Sequence, residues 1–345
     1  MRRALAVVAA AAMVAGSLAL RSRLDRGHEE SSKVLRLLCT PELEAACRQL
    51  EREDSRMRVS VEAAGISADR LATAEGDPGL DGWMVSGPWP ELVDGERRAR
   101  ALPPLFPGLH PALGRSPLVL VVWKDRAAAL GPRCPPPGGV GWRCLGDAAG
   151  VAGGWAAVGG RPEWGPVKPG HASPASDGIG LLVLGQAVGA WFGRTDLSAA
   201  DLDDEGFQRW FAGLERAVPL AAAPLETMLV TGPAAFDAAG TTEADAGPLL
   251  ARSARRDALT LLYPSPMATA DAVLAVPAGS ESSSLAGVVG GATGRRALAA
   301  AGWRVPGQPR AHGVPDSPPL PTTSGLPSAG LLDALRGRWH EVTGR

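Results

Sequence analysis

The sequence predicts an α/β protein with a mixed or parallel sheet, and two observations support this fold class. Short apolar runs typical of strands alternate with segments of helical periodicity from residue 33 onward. Several of these runs end directly at a polar turn or a helix N-cap. The chain has 345 residues, of which 45% are apolar, and this is enough for one large domain or for two lobes.

The first third of the chain alternates strands with helices. Thr40 and Pro41 follow the first strand as an N-cap and a proline at the first helical position, which predicts a helix running to about Glu53. A short helix is expected over 67–73. Strands are predicted over 33–39, 57–62, 82–86 and 118–123.

The remaining sequence repeats this alternation. A Pro- and Gly-rich stretch over 304–327 is expected to be ordered but irregular. Further strands are predicted over 234–238, 259–263 and 272–276. Helices are predicted over 180–192, 204–218 and 224–230, from about 241, over 283–301 as one helix or a pair, and over 330–342.

The N-terminus has the pattern of a targeting segment. Two arginines precede an uncharged apolar run over residues 4–20, and three more arginines follow it. The run is long for a signal peptide and short for a membrane span, and its best cleavage site, at 17–19, is weak. Residues 1–30 are therefore either a cleaved signal peptide or a retained anchor. Both alternatives place the rest of the chain outside the cytoplasm, secreted or anchored to the membrane.

Composition and motifs exclude several classes of function. The net charge of −1 favours neither nucleic acid nor an anionic membrane surface as a partner. No C-x-x-C pair or histidine cluster indicates a metal site, and no cofactor is implied. P-loop, H-E-x-x-H and complete G-x-G-x-x-G motifs are absent from the sequence, and residues 114–118 fail the G-x-S-x-G pattern at the last position. We therefore expect a protein that is not an enzyme.

The four cysteines suit an oxidising compartment. Cys134 and Cys144 flank a turn-rich loop, and a disulfide is expected between them. Cys39 and Cys47 would lie roughly 10 Å apart if the helix began at Pro41, beyond the bridging limit of about 7 Å. Either that helix begins later, or Cys39 and Cys47 are buried thiols.

Seven segments share their order with one known family. In that order they resemble the bacterial extracellular solute-binding proteins of the type II periplasmic-binding fold. They are most similar to actinobacterial members, whose binding domain sometimes precedes a von Willebrand A domain. The segments are LRLLCTPEL (35–43), LDGWMVSGPWPEL (80–92), RSPLVLVVWKDRAAALG (115–131), VKPGHASPASDGIGLLVL (167–184), TTEADAG (241–247), LTLLYPSPMATADAVLAV (259–276) and GATGRRALAAAGWRVPG (291–307).

This resemblance implies two α/β lobes joined by hinge strands, with a ligand in the cleft between them. Lobe 1 would comprise 33–118 plus 262–345, and lobe 2 would comprise 119–261. The protein would be a monomer that captures a small-molecule solute by hinge closure, in service of an ABC permease. The alternative is a membrane-anchored envelope protein that uses the same fold for sensing or protein interaction.

The resemblance also implies ligand-binding residues, because the ligand of the family meets loops at the C-terminal ends of strands. The residues that match these positions are Thr40, Ser86, Ser116, Ser176, Asp177, Thr242 and Tyr263. Each has a structural alternative, such as helix capping for Thr40, a turn for Ser86 and covering of the hinge for Tyr263. His171, in the same turn as Ser176, is expected to be a surface or supporting residue.

The turn over 167–184 departs from the family pattern at two positions. Where the family has serines, this chain has Asp177 and Ile179. A carboxylate about 4 Å from a bound anion is repulsive by about 4 kcal/mol at an effective dielectric constant near 20. We therefore expect no tight binding of molybdate, sulfate or phosphate, and a cleft suited to a neutral or cationic solute.

Overall fold

The computed structural model describes residues 34–345 except 135, 137, 281, 282 and 317. The predicted targeting segment, residues 1–30, lies outside the described residues. Among the helices of the described part, none combines the length and the apolar character needed to cross a bilayer.

The described chain forms a mixed sheet in the order β2-β1-β3-β8-β4-β6-β5, with β7 paired to β4 off this path. The strands β1, β2 and β3 are parallel to one another, and β8 runs antiparallel to β3. Their bounds are β1 Leu35–Cys39, β2 Met57–Val61, β3 Gly82–Gly87, β4 Gly114–Trp123, β5 Pro169–Gly170, β6 Ala238–Thr242, β7 Leu259–Leu262 and β8 Thr269–Ala275.

Strand β4 changes its neighbours halfway along its length. Its residues 114–117 pair with β8, whereas residues 118–123 pair with β6 and β7. We call β1, β2, β3 and β8 the first sheet portion, and β5, β6 and β7 the second sheet portion. The chain passes between the two portions along β4 and returns between β7 and β8.

Helices cover both sheet portions. Helix α6 is buried along almost all of its length, because it is apolar on every side. Helix α12 packs on α6 and α7 beside the second sheet portion and also on α3 beside the first. The helices are α1 Glu44–Glu53, α2 Ala64–Thr73, α3 Trp89–Ala99, α4 Lys124–Leu130, α5 Trp142–Ala149, α6 Gly178–Phe192, α7 Glu205–Ala217, α8 Pro224–Thr231, α9 Glu243–Arg252, α10 Ser283–Gly290, α11 Ala292–Ala300 and α12 Ala329–Thr343.

The structure contains each predicted helix and all but one of the predicted strands, with shifted ends. The predicted strand over 234–238 is wrong, because 233–235 form a turn and β6 begins only at Ala238. Strand β6 consists of alanine, glycine and threonine, and alanine and glycine give little indication of a strand. The small residues are needed there, since a Cβ atom at Gly240 would lie 2.3 Å from the Trp142 ring. Strand β5 and helices α3, α4 and α5 were not predicted.

Both cysteine pairs form disulfide bonds. The expected bond joins Cys134 to Cys144. Cys39 and Cys47 are also bonded, with their Cα atoms 6.7 Å apart. Of the two alternatives for this pair, a later helix start is the correct one. Residues 41–43 form a 3-10 turn and α1 begins at Glu44, so Cys47 lies closer to the end of β1 than a continuous α-helix would place it.

Candidate ligand-binding site

A cavity of about 210 Å³ lies where the two sheet portions meet. The first sheet portion contributes Pro41 and Glu42, which directly follow β1. The opposite wall comes from the turn before α6, the first turn of α8, the end of β6 and the first turn of α9. The cavity therefore lies among strand ends and helix N-termini, which is the usual ligand position in an open α/β sheet.

Each helix start at this cavity carries its own acidic residue. Asp177 is the N-cap of α6, and its Oδ1 atom accepts a 2.7 Å hydrogen bond from the Gly180 N–H. Glu226 and Asp245 occupy the first turns of α8 and α9, and Glu42 lies in the 3-10 turn after β1. Free N–H groups at helix starts attract negative charge, and here side chains of the protein supply that charge.

Glu42 is incompletely hydrogen-bonded. The Ser86 hydroxyl donates to its Oε1 atom at 2.8 Å. Its Oε2 atom is buried and has no hydrogen-bond partner among the described residues, and the same holds for the Oγ1 atom of the fully buried Thr40. Buried polar atoms without a partner destabilise a fold, so unpaired atoms beside a cavity indicate a place for a water molecule or a ligand.

Asp245 is fixed by the hydroxyl groups that end β6. Thr242 caps α9 by accepting a hydrogen bond from the Asp245 N–H at 3.1 Å. The Thr242 and Thr241 hydroxyls in turn donate to Asp245 Oδ2 at 2.9 and 3.2 Å. The Asp245 carboxylate is thus held at the cavity wall by the strand that precedes its helix.

Burial and mutual repulsion disturb the titration of these carboxyl groups. The pKa of Glu42 is raised to about 7, first by burial and then by the charge of Asp177. Burial raises the pKa of Asp245 to about 6, with Glu226 and Asp177 adding to the shift and the threonine hydroxyls opposing it. Burial also raises the pKa of Asp177, against the N–H groups of Gly180 and Ile179.

Among the described residues, no arginine or lysine forms an ion pair with these acids. In the part of the chain that the structure describes, Glu42, Asp177, Glu226 and Asp245 form no ion pair with a basic side chain, although 23 other contacts of that kind occur. The cavity wall therefore carries four acidic groups without an ion-pair partner among the described residues, although the charge of His171 lowers the pKa of Asp177. Its carboxylate oxygens can accept hydrogen bonds from a donor, and they repel an anion.

Of the residues predicted to bind ligand, only Asp177 lines the cavity. Ser86 and Thr242 lie one layer behind it, where they hold Glu42 and Asp245. Thr40 precedes Glu42 and is fully buried. Ser176 does not line the cavity, and its carbonyl oxygen accepts a 2.9 Å hydrogen bond from the Gly65 N–H.

Two of the predicted residues lie at the junction of the sheet portions, away from the cavity. The Ser116 hydroxyl accepts a 2.9 Å hydrogen bond from the Ala244 N–H at the start of α9. The Tyr263 hydroxyl donates to Glu243, which forms a buried ion pair with Arg304. Burial and the Glu243 carboxylate raise the pKa of Tyr263. These contacts join α9 to β4 and to the segment after α11.

Sequence reasoning missed Glu42, Asp245 and Glu226. Each lies in the first turn of a helix. Acidic residues are common there because they interact favourably with the helix dipole, so the sequence alone indicates no further role for them. These three residues share a position in the fold. Glu42 comes just after β1, Asp245 comes just after β6, and Glu226 lies at the start of α8, which packs on β6. Only the folded chain shows that these helix starts converge.

His171 is a buried supporting residue and not a surface residue. Its Nε2 atom lies 3.1 Å from Glu215 Oε2, and the Trp339 N–H donates to the same oxygen at 2.9 Å. Burial alone would lower the pKa of His171, but Glu215 and the Ala172 carbonyl outweigh burial and raise it. This network anchors the turn before α6 to helices α7 and α12.

Two hydrogen bonds close the protein over one side of the cavity. The Gly65 N–H at the start of α2 donates to the Ser176 carbonyl, and the Trp89 indole N–H donates to the Gly178 carbonyl at 3.3 Å. Both bonds join helices beside the first sheet portion to the start of α6, one to the turn before this helix and one to its first residue.

Solved structures with the same architecture are periplasmic binding proteins. The chain is similar to the periplasmic binding protein AfuA from Actinobacillus pleuropneumoniae with bound fructose-6-phosphate, with a TM-score of 0.60 at 11% identity over 90% of this chain and 99% of that one. A periplasmic thiamin binding protein gives 0.59 at 12% identity over 90% and 96% of the chains. Iron-bound HitA from Pseudomonas aeruginosa gives 0.56 at 15% identity over 90% and 99%.

These similarities confirm the predicted fold class, the two-lobed α/β fold of periplasmic binding proteins. No protein-family model and no curated protein sequence matches the chain. Among the described residues, no group of three or more His, Cys, Asp and Glu side chains is arranged to hold a metal ion.

Proposed function

We propose that this chain is an extracytoplasmic solute-binding protein that captures a small ligand between two lobes and delivers it to an ABC importer. The observation that carries the proposal is the cavity at the junction of the two sheet portions, where β1, β6 and three helix starts meet. AfuA and the thiamin protein, two of the solved structures with this fold, are named as binding proteins, which supports a role in binding without catalysis.

The proposed lobes follow the change of neighbours along β4. Lobe 1 comprises 33–118 with 262–328, and lobe 2 comprises 119–261 with α12 (Ala329–Thr343). The switch from β8 to β6 between Pro117 and Leu118 supports the first boundary, and the return between β7 and β8 supports the second. Helix α12 departs from the expected division, which placed 262–345 in lobe 1, because its Leu332 side chain meets Gly185 of α6. We assign α12 to lobe 2.

The predicted site residues divide into three roles in this proposal. Asp177 faces the ligand directly. Thr40, Ser86 and Thr242 hold the acidic groups that face it. Ser116, Ser176 and Tyr263 act at the junction of the lobes, where they favour the closed state.

An extracytoplasmic location is supported by the two disulfides, which persist in oxidising compartments. The periplasmic neighbours support the same location. We propose that the N-terminal segment directs export, either as a cleaved signal or as an anchor, and that the chain acts as a monomer.

A thermal-shift screen of the full-length chain against a broad solute library tests the function. A ligand that binds only the folded state stabilises it by RT ln(1 + [L]/Kd), so a true solute raises Tm in proportion to the logarithm of its concentration. Small-angle X-ray scattering with that solute should show a smaller radius of gyration, because hinge closure compacts two lobes. A library without any stabilising compound would refute solute capture.

One observation favours the alternative role as an envelope protein that senses or binds another protein. Contacts on both sides of the cavity, from Gly65 to Ser176 and through α12, join the two lobes through groups of the protein itself. A scattering profile that matches the closed conformation in the absence of any solute, together with a null thermal screen, would support this second role.

A further inference from the structure

The unpaired polar atoms at the cavity call for a hydrogen-bond donor. Glu42 Oε2 is buried, lacks a partner and can only accept a hydrogen bond when it is ionised. The other acids at the cavity, Asp177, Glu226 and Asp245, add further acceptors without a basic partner among the described residues. A ligand that satisfies this wall must carry N–H or O–H donors.

The charge of the cavity narrows the class of donor. Four carboxyl groups line one cavity, and the pKa values of Glu42, Asp177 and Asp245 are raised, first by burial and then in part by neighbouring carboxylates. A neutral ligand leaves the repulsion between these groups in place, whereas a cation offsets it and favours their ionised forms. Binding energy from this wall is therefore greatest for a positively charged ligand.

Size and lining exclude other cations. No metal-binding cluster occurs in the described residues, so the acids are spread too widely to chelate one ion. The described lining contains no aromatic side chain that could enclose a quaternary ammonium group, and its residues other than the acids are aliphatic or small, such as Ile179, Leu225 and Gly240. The cavity is also smaller than the roughly 300 Å³ at which sites for drug-sized molecules begin.

We propose that the cavity binds a small aliphatic amine or guanidine in its cationic form, with its N–H groups donating to Glu42, Asp177 and Asp245. Glu226, at the exposed rim, attracts the cation electrostatically. This inference rests on the proposed function and names the class of solute that the protein captures.

The test measures Tm and Kd of the full-length chain at about pH 8 with matched probes. The cationic probes are n-butylamine, 1,4-diaminobutane and agmatine. Butane-1,4-diol is the neutral counterpart, succinate, sulfate and phosphate are anions, and tetramethylammonium is a cation without N–H donors. At least one amine or guanidine should raise Tm by several degrees at about 100 times its Kd, whereas the other probes leave Tm unchanged.

Two conservative variants connect this binding to the cavity. Glu42→Gln and Asp245→Asn should each weaken binding of the amine at least tenfold while the fold is retained. Glu91→Gln is the matched control, since Glu91 also lies in a first helical turn but is exposed and does not line the cavity. Lowering the pH from about 8 to about 5.5 should weaken amine binding to the unmodified chain, because the carboxyl groups take up protons that the cation must displace.

Separate outcomes test the two proposals. Stronger binding of the diol, of an anion or of tetramethylammonium than of every amine would overturn the cation inference and leave solute capture intact. Amine binding that Glu42→Gln and Asp245→Asn both leave unchanged would also overturn it. Failure of every probe here and of every compound in the broad library would refute both.

Discussion

Glu42 lines the candidate site, and burial there disfavours its ionised form. Its carboxyl group accepts a hydrogen bond from the Ser86 hydroxyl, faces the charge of Asp177 and keeps Oε2 without a partner among the described residues. With its pKa raised from 4.5 to about 7, the folded state holds the proton of Glu42 more tightly than the unfolded state does. Its contribution to stability is therefore most favourable below about pH 4.5 and is lost as the pH rises through 7.

We predict that Glu42→Gln stabilises the ligand-free protein at high pH only. The gain should be near zero at about pH 4 and should reach roughly 2–3 kcal/mol at about pH 8, after allowance for partial exposure of the residue. Urea unfolding of the unmodified chain and of Glu42→Gln at both pH values measures the difference in their free energies of unfolding. The contributions of the other titrating groups cancel in this difference. Glu91→Gln should show the same small effect at each pH, and a gain for Glu42→Gln that does not depend on pH would contradict this account.

At the scale of elements, closure depends on how near the start of α2 comes to the turn before α6. Gly65 makes this approach possible, because a Cβ atom there would lie 2.0 Å from the Ala175 carbonyl oxygen. The close approach also forms the hydrogen bond from the Gly65 N–H to Ser176. Any side chain at residue 65 must push the two elements apart.

We predict that Gly65→Ala prevents full closure without unfolding either element. Alanine favours a helix by up to about 1 kcal/mol over glycine, so stability should change little. Affinity for the solute that the thermal screen identifies should fall at least tenfold in calorimetric titration, and scattering should show no compaction with that solute. Gly95→Ala in α3 is the control, since nothing lies within 4 Å of its Cβ position. Unchanged affinity in Gly65→Ala would show that this contact is not part of closure.

The elements that could be predicted are those whose burial leaves a regular pattern. The run LVLVVW gave the position of β4 correctly, because a strand buried on both faces has a distinctive composition. The Thr40-Pro41 pattern correctly predicted a helix after β1 but placed its start too early, since residues 41–43 form a 3-10 turn and α1 begins at Glu44. Strand β6 has no such composition, since close packing against Trp142 requires glycine at residue 240. Its constraint comes from a residue about one hundred positions away, which no local pattern contains.

The candidate site could be predicted only in part for the same reason. Asp177 was found because it lies in a distinctive turn and breaks the pattern of the family. Glu42 and Asp245 carry no local mark of function, since acids are ordinary in a first helical turn. Their shared cavity arises from the meeting of β1 with β6, and that meeting depends on the whole fold.

At the scale of the whole molecule, α12 connects the two proposed lobes. Its buried contacts with lobe 2 include the Trp339 bond to Glu215. Its contacts with lobe 1 are packing on α3 and the ion pairs of Arg336 with Glu96 at 2.7 Å and with Asp69 at 3.7 Å. If α12 moves with lobe 2, hinge opening breaks these ion pairs and leaves the contacts of α12 with α6 and α7 intact.

We predict that Arg336→Ala weakens the closed state, whereas Arg338→Ala does not. Arg338 pairs with Asp203 and Glu341, which belong to lobe 2 and to α12 itself, so its contacts persist through opening. Arg336 is only 14% exposed, and loss of its network should cost the closed state about 1 kcal/mol, which corresponds to roughly fivefold weaker solute affinity in calorimetric titration. The reverse order, with Arg338→Ala the more harmful, would place α12 in lobe 1 and restore the division in which 262–345 moves as one body.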